Sequence, residues 1–232
     1  MPTIKYVYYN MRDGSAYHLW YVYLIIGLYL FIPVIWKFIK LATEKEILYF
    51  LCIWMIMMII NQPIFKMFKS PLVLIYFSDY LGYLVLGYYL YVKSFSNKII
   101  LPAIITILLG NIVIFFGTYY LCTQSGDLVQ YFYENLTPHI FLIASSVFIL
   151  LRKTNAPKSK VIQNLRDFIA THSYGIYLAH VMVLNSFYKI CLSGDIIHPI
   201  IGIPITVLCC LSVSGLLVFF IKKLPYGAYI SG

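Results

Sequence analysis

Long apolar runs, separated by short connections that carry most of the charge, set the pattern of this chain. A helix needs about 20 mainly apolar residues to cross a bilayer. Seven runs reach or approach that length: Leu19–Trp36, Ile47–Phe65, Pro71–Val92, Ile99–Leu121, Pro138–Leu151, Phe168–Tyr188 and Pro199–Ile221. The fifth run is short, and we expect its helix to begin earlier, within Tyr131–Thr137. The pattern predicts an all-α, polytopic transmembrane helix bundle that forms a single membrane domain over residues 1–232.

Composition also favours a membrane location. Hydrophobic residues make up 62% of the chain and charged residues 11%, whereas charged residues make up about 25% of a typical soluble domain. Residues 1–17 are polar and aromatic and lack the apolar core of a signal peptide, so we expect no cleaved leader. The cysteines show no metal-ligand spacing, and we expect no metal site.

The basic residues predict the orientation of the bundle. Twelve of the 17 Lys and Arg residues occupy alternate connections and the C-terminal tail, which the positive-inside rule places in the cytoplasm. They are Lys37, Lys40, Lys45, Lys93, Lys98, Arg152, Lys153, Lys158, Lys160, Arg166, Lys222 and Lys223. This distribution predicts seven spans, with the N-terminus outside and the C-terminus inside. It also accounts for the net charge of +9 without a nucleic-acid partner.

A polar stripe in the sixth run is the first candidate for chemistry. Ser173, Tyr177 and His180 are spaced i, i+4 and i+7, so they share one face of a helix. An ionisable ring inside a membrane segment usually faces the bundle interior and often marks a site. An imidazole is also suited to general-base catalysis near neutral pH. The other reading, a histidine that is only hydrogen-bonded within the bundle, stays open.

Further polar residues lie near the predicted outer ends of other spans. His18 and Trp20 open the first span, and Asp79 lies in the outer half of the third. Together with His180, and with His139 at the outer start of the fifth span, they predict an outward-facing polar cavity. Taken alone, His18 and Trp20 also fit interfacial anchors, and Asp79 fits a carboxylate that is hydrogen-bonded to a neighbouring hydroxyl.

Three segments carry a resemblance to a known family. The run Tyr17–Pro33 is similar to a His-Leu-Trp-Phe segment, with His18 and Trp20 at the matching positions. Tyr80–Leu90 resembles a glycine- and tyrosine-rich span, and Ser173–His180 resembles a Ser-Phe-Gly-Ile-Tyr-Leu-x-His motif. In this order they resemble the motifs of the acyltransferase-3 family of bacterial integral-membrane acyltransferases. Each segment alone is a weak signal, but the ordered set is specific.

The resemblance implies a reaction and its partners. Members of that family transfer an acyl group, often acetyl, from acetyl-CoA or another acyl-CoA to a hydroxyl of a cell-surface or cell-envelope glycan. The acceptor would be a glycan or a lipid-linked glycan, and the protein would lie among the lipids of the bacterial cytoplasmic membrane. His180 and His18 would be the catalytic candidates. The residues that would bind the acceptor are Trp20, Tyr177, Ser173 and Asp79.

One departure from the family pattern affects the expected activity. The family's presumed catalytic base is a histidine on its first helix, preceded by an arginine on the same helix. Residues 1–17 hold no such pair and no span. The resemblance therefore implies that the family's N-terminal helices are missing here and that the chain alone is inactive. Their loss would also produce the outside N-terminus that the basic residues predict.

Two other classes of protein remain open. A glycan-lipid transporter or flippase component would also need a polar cavity lined by aromatic rings. Inverted repeats or broken helices at matching positions would favour that class, and the sequence shows neither. A receptor is suggested only by the number of spans, and likeness of fold alone is weak support for a function.

Overall fold

The computed structural model describes residues 20–62, 80–155, 157–190, 194 and 198–227. Within these ranges the chain forms seven α-helices and no β-strand. The helices are α1 Trp20–Leu41, α2 Glu44–Ile60, α3 Leu81–Val92, α4 Ile100–Ser125, α5 Pro138–Lys153, α6 Lys160–Lys189 and α7 Pro199–Lys222. Each predicted apolar run overlaps one of them, so the all-α prediction is confirmed.

Several of these helices have the dimensions of membrane spans. By length and composition, four helical segments of the described chain can cross a bilayer: Trp20–Leu41, Asn97–Ser125, Tyr131–Lys153 and Pro199–Lys222. Helices α2 and α3 are shorter, with 17 and 12 residues. The adjoining parts of their predicted spans, residues 63–65 and 71–79, lie outside the described residues. The helices indicate a membrane protein, while seven spans and their orientation stay predictions.

Local sequence signals set two helix ends in the first half of the chain. Thr43 and Glu46 form a capping box at the start of α2, in which each side chain accepts a hydrogen bond from the other residue's backbone N–H. Gly126 ends α4 in the left-handed conformation, with φ 72°, which glycine adopts without strain.

Two helix starts differ from the prediction. α5 begins at Pro138, and only a short 3-10 turn, Tyr131–Tyr133, forms in the region where an earlier start was expected. Proline suits the first helical position and forces the residue before it, Thr137, into an extended conformation. α6 begins at Lys160, so part of the connection predicted between the fifth and sixth apolar runs is helical. The chain carries no proline or glycine from there to Tyr174 that would interrupt the helix.

The chain divides into two compact units. The middle unit is Leu24–Asn155, and the terminal unit combines Met1–Tyr23 with Ala156–Gly232. The boundary between them falls inside α1. Each unit has buried apolar clusters of its own.

The core of the middle unit is built around Trp54. Its indole is 2% exposed and packs edge-on against the rings of Tyr83 and Phe141, with centroid distances of 5.0 and 5.6 Å. Gly82 lies directly against the indole, because a Cβ added at that glycine would come within 2.0 Å of it. Met58 completes this core at 1% exposure. Helices α2, α3 and α5 therefore meet around the Trp54 indole, which fits there because Gly82 has no side chain.

Polar contacts hold the C-terminal end of α3. The Nη1 of Arg152, on α5, donates to the carbonyl oxygen of Leu90 at 2.7 Å and to that of Lys93. The arginine thereby places a positive charge where the helix dipole favours one. The Nζ of Lys93 in turn donates to the carboxylate of Glu44, at the start of α2.

The Glu44–Lys93 pair shifts the titration of both groups. The hydrogen bond between them lowers the pKa of Glu44 and raises the pKa of Lys93. A lowered carboxyl pKa gives stability that is present above the unfolded pKa and is lost as the pH falls through the folded pKa. A raised amine pKa gives stability that is lost as the pH rises through the folded pKa of the lysine. The side chains of Lys93 and Glu44 are 41% and 54% exposed, so the contribution is that of a surface ion pair.

In the terminal unit, α6 and α7 pack along one face. The buried residues of α6 recur at helical spacing: His172, Gly175, Ile176, Ala179, Val183 and Phe187. The buried residues of α7 are mostly small: Gly202, Thr206, Cys210, Ser214, Gly215 and Val218. Small side chains let membrane helices approach closely. The polar stripe of α6 borders this packed face.

Candidate active site

Two residues of the predicted polar stripe contact each other on α6. Tyr177 and His180 are half-buried, and their ring centroids lie 5.5 Å apart. The ring of Tyr21, at the start of α1, packs edge-on against Tyr177 at 5.1 Å. The ring of Trp20 follows at 6.1 Å from Tyr21. These four side chains, Trp20, Tyr21, Tyr177 and His180, form a contiguous group in the terminal unit, here called the histidine cluster.

The backbone of α6 determines which nitrogen of His180 is basic. Nδ1 lies 2.5 Å from the carbonyl oxygen of Tyr177. A carbonyl oxygen only accepts, so Nδ1 carries the proton and donates it to this bond. In the neutral ring the lone pair then lies on Nε2. The geometry therefore selects the tautomer in which Nε2 is the proton acceptor that general-base catalysis needs.

Helix α7 supports the backbone at His180. The thiol of Cys210 donates to the carbonyl oxygen of His180 at 3.4 Å, and its Sγ lies 3.9 Å from the hydroxyl oxygen of Ser214. Both residues are buried between the two helices. The segment that carries the imidazole is thus part of a packed helix pair and not of a loop.

The other predicted site residues have different positions. Ser173 is exposed, and its hydroxyl donates to the carbonyl oxygen of Ala170 at 2.9 Å. It lies seven positions before His180, which is about 10 Å along a helix. Trp20 is 47% exposed and joins the cluster through Tyr21. His18 and Asp79 lie outside the described residues.

A second histidine on α6 is held by packing. His172 is 9% exposed, and its ring stacks on Phe168 with a centroid distance of 4.5 Å. Its Nδ1 donates to the carbonyl oxygen of Phe168 at 2.8 Å. His172 belongs to the buried face that meets α7, whereas His180 belongs to the half-buried polar face.

Tyr21 and Cys210 were not predicted as site residues. For Tyr21 the only sequence signal is its position beside Trp20 in the first motif segment. Cys210 stands in an apolar run and gives no signal until α7 is placed against α6. Within the described part of the chain, no group of three or more His, Cys, Asp or Glu side chains lies close enough to bind a metal ion.

A groove of about 480 Å³ lies in the middle unit. It is lined by Pro33, Val34, Lys37, Phe38, Leu41, Ala42 and Glu46. Its walls are mainly apolar, so it offers few hydrogen-bonding partners to a hydroxyl-bearing substrate. The polar half-buried surface of α6 is therefore the better candidate for a reacting site.

The apolar helices indicate a membrane protein, and the histidine cluster gives it a proton acceptor, Nε2 of His180, on α6. The chain matches the acyltransferase domain model of the acyltransferase-3 family over residues 3–221, which includes all three motif segments. The protein therefore belongs to the acyltransferase-3 family of membrane acyltransferases, and the predicted family is confirmed. None of the curated proteins and none of the solved structures compared with the chain is significantly similar to it.

Proposed function

We propose that the protein takes part in O-acylation of a cell-surface or cell-envelope glycan in the bacterial cytoplasmic membrane. The acyl group is acetyl, acetyl-CoA is the donor, and the acceptor is a hydroxyl of a glycan or lipid-linked glycan. The observation that carries this proposal is the family match over residues 3–221. The histidine cluster supports it, because O-acyl transfer needs a base near an acceptor hydroxyl.

Residues 1–17 hold no Arg…His pair like that of the family's first helix, so we assign the role of the base to His180, whose tautomer suits it. Nε2 removes the proton from the acceptor hydroxyl while that oxygen attacks the acyl carbonyl carbon. A C–O ester bond forms, the C–S bond of the thioester breaks, and the proton passes to the leaving thiolate. Tyr177 and Trp20 would position the acceptor with their rings. His18, Ser173 and Asp79 remain proposed site residues, with His18 as the second candidate base.

The proposed reaction uses a defined orientation of the helices. The connections rich in lysine and arginine face the cytoplasm, where acyl-CoA is found. The connection that follows α4 contains Asp127 and Glu134 and no basic residue from Thr123 to Thr137, and we assign it to the outer side. Under the positive-inside rule this arrangement needs α5 to cross the membrane.

Reporter fusions check this orientation. We expect a topology reporter fused after Lys158 to read cytoplasmic and one inserted within Thr123–Glu134 to read external. The physical reason is the excess of positive charge on the first side and its absence on the second. If both fusions read on the same side of the membrane, α5 does not cross it, and the proposed orientation of the helices is wrong.

Deletion of the gene from its own cells tests the proposed function. We expect the envelope glycans of the deletion strain to lose acyl esters that mild alkali removes, at an unchanged amount of glycan. Mass spectrometry of the glycans before and after alkali treatment measures both quantities. Unchanged ester content would contradict the proposal. Loss of the glycan itself from the cell surface would favour a transporter or flippase component instead.

A further inference from the structure

A polar cleft of about 350 Å³ lies in the middle unit, built from residues that the proposed function does not use. It is lined by Tyr80, Gln130, Tyr133, Glu134, Asn135 and Leu136. These residues come from the residue before α3 and from the connection between α4 and α5. Its volume falls within the range of small-molecule sites, roughly 300–1,000 Å³.

The lining combines two kinds of surface. Tyr80 and Tyr133 supply flat aromatic rings, and Tyr133 is 40% exposed. The exposed side chains of Gln130, Glu134 and Asn135 supply amide groups and a carboxylate. A carboxylate accepts from several donors, and an amide both donates and accepts. A sugar unit has the complementary surface, because its C–H faces cover aromatic rings while its hydroxyls bond to carboxylates and amides.

Hydrogen bonds from the neighbouring helices hold the cleft in shape. The side-chain Nδ2 of Asn135 donates to the hydroxyl of Tyr80 at 3.1 Å, and the hydroxyl of Tyr83 donates to the backbone oxygen of Asn135 at 2.8 Å. The Nε2 of Gln62, after α2, donates to the carbonyl oxygen of Leu136 at 3.3 Å. The loop residues are therefore fixed by groups on two other parts of the unit.

The loop is also fixed from within. The Nε2 of His139 donates to the carbonyl oxygen of Phe132 at 2.6 Å, and the hydroxyl of Thr137 donates to the carbonyl oxygen of Glu134 at 2.9 Å. The ring of Phe132 packs on α4 so closely that a Cβ at Gly117 would lie 2.6 Å from it. A cleft whose walls are held in place binds with a smaller entropic penalty than a mobile loop.

The geometry points to a subsite for one sugar unit of the acceptor glycan in this cleft. This inference rests on the proposed function, which makes the glycan the acceptor. It also rests on the assignment of the α4–α5 connection to the outer side, where the glycan can reach the cleft. Sugar binding itself is independent of acyl transfer and is measured separately. The rings of Tyr80 and Tyr133 contact the sugar face, and the carboxylate of Glu134 accepts from its hydroxyls.

Binding to the protein in lipid nanodiscs tests the subsite. The probes are the methyl glycosides of glucose, galactose, mannose and N-acetylglucosamine, titrated by saturation-transfer difference NMR. We expect at least one glycoside to bind. Glu134→Gln and Tyr133→Ala should each weaken that binding about tenfold or more, because each removes a charged hydrogen-bond acceptor or a stacking surface.

Matched variants distinguish the cleft from its surroundings. Asp127→Asn changes an exposed acid in the same connection, and Tyr120→Ala removes an exposed tyrosine at the end of α4. Neither residue lines the cleft, so both variants should bind as the wild type does. Glu134→Gln is conservative because it keeps the size of the side chain. Size-exclusion chromatography checks that each variant is still incorporated in the nanodiscs.

Three results would overturn the subsite. The first is the absence of a saturation-transfer difference signal with every glycoside. The second is equal glycoside binding by the cleft variants and their controls. The third is that the protein binds tetramethylammonium in preference to the glycosides and that this binding weakens as salt is added. The last would identify an ammonium site formed by the carboxylate and the rings. Sugar binding that persists in a protein without acyl transfer would refute the proposed function and leave the subsite intact. Acyl transfer without sugar binding would refute the subsite and leave the proposed function intact.

Discussion

His180→Ala, introduced at the native gene locus, is expected to lower the O-acyl content of the glycan by about 10²–10⁴-fold, the usual contribution of general-base catalysis. The variant removes Nε2, which the hydrogen bond from Nδ1 to the Tyr177 carbonyl makes the basic atom. The readout is the amount of alkali-released acetate per unit of glycan, normalised to the amount of protein in the membrane. His180→Gln should lose as much, because an amide keeps polar contacts but cannot accept the proton.

A second histidine variant is the control for this result. His198 is exposed and accepts a hydrogen bond from the Ile200 N–H at the start of α7. His198→Asn keeps an N-cap acceptor, so its ester content should equal that of the wild type. Full ester content in His180→Ala would move the proposed base to His18 or to another residue outside the described part of the chain. Equal losses in both variants would indicate a general effect on folding.

Gly82→Ala is expected to destabilise the middle unit by about 1–3 kcal/mol, the usual cost of overpacking a filled core. The new methyl group would come within 2.0 Å of the Trp54 indole. The indole is nearly fully buried and is held between Tyr83 and Phe141, so it has little room to move. Thermal unfolding of the protein in detergent micelles, followed by tryptophan fluorescence, measures the loss.

Another glycine on the same helix provides the matched control. An added Cβ at Gly87 would meet no atom of the described residues within 4 Å. Alanine within a helix is more favourable than glycine by about 0.5–1 kcal/mol, so Gly87→Ala should be neutral or stabilising. The two substitutions are chemically identical, and we expect only Gly82→Ala to lower the stability. A Gly82→Ala protein as stable as Gly87→Ala would show that Trp54 and α3 are not packed as described.

The helices were predictable because the bilayer imposes a length on each apolar run. The contact between Tyr177 and His180 was predictable for a similar reason, since residues three apart on a helix are neighbours. The predicted start of α5 was wrong because the short apolar run suggested a longer helix, whereas Pro138 marks the first helical residue. The longer α6 was missed because charged residues were taken to mark a loop, although charged residues also form the exposed turns of helices.

Contacts between distant segments were not accessible from the sequence. Tyr21 meets Tyr177 only once the start of α1 lies beside α6, and no local pattern encodes that contact. The cleft near Glu134 similarly depends on hydrogen bonds that reach the loop from Tyr83 and Gln62. The acidic character of the α4–α5 connection was visible in the sequence, but its shape was not.

Transfer of a labelled acyl group tests whether this protein takes part in O-acylation of a glycan. Membranes from cells with the wild-type gene, the deletion and His180→Ala receive acetyl-CoA labelled in the acetyl group, and the label is followed into glycan. We expect label in alkali-labile esters of the glycan with wild-type membranes, and its loss with both the deletion and His180→Ala. Equal labelling of glycan in wild-type and deletion membranes would contradict the claim that this protein takes part in acyl transfer.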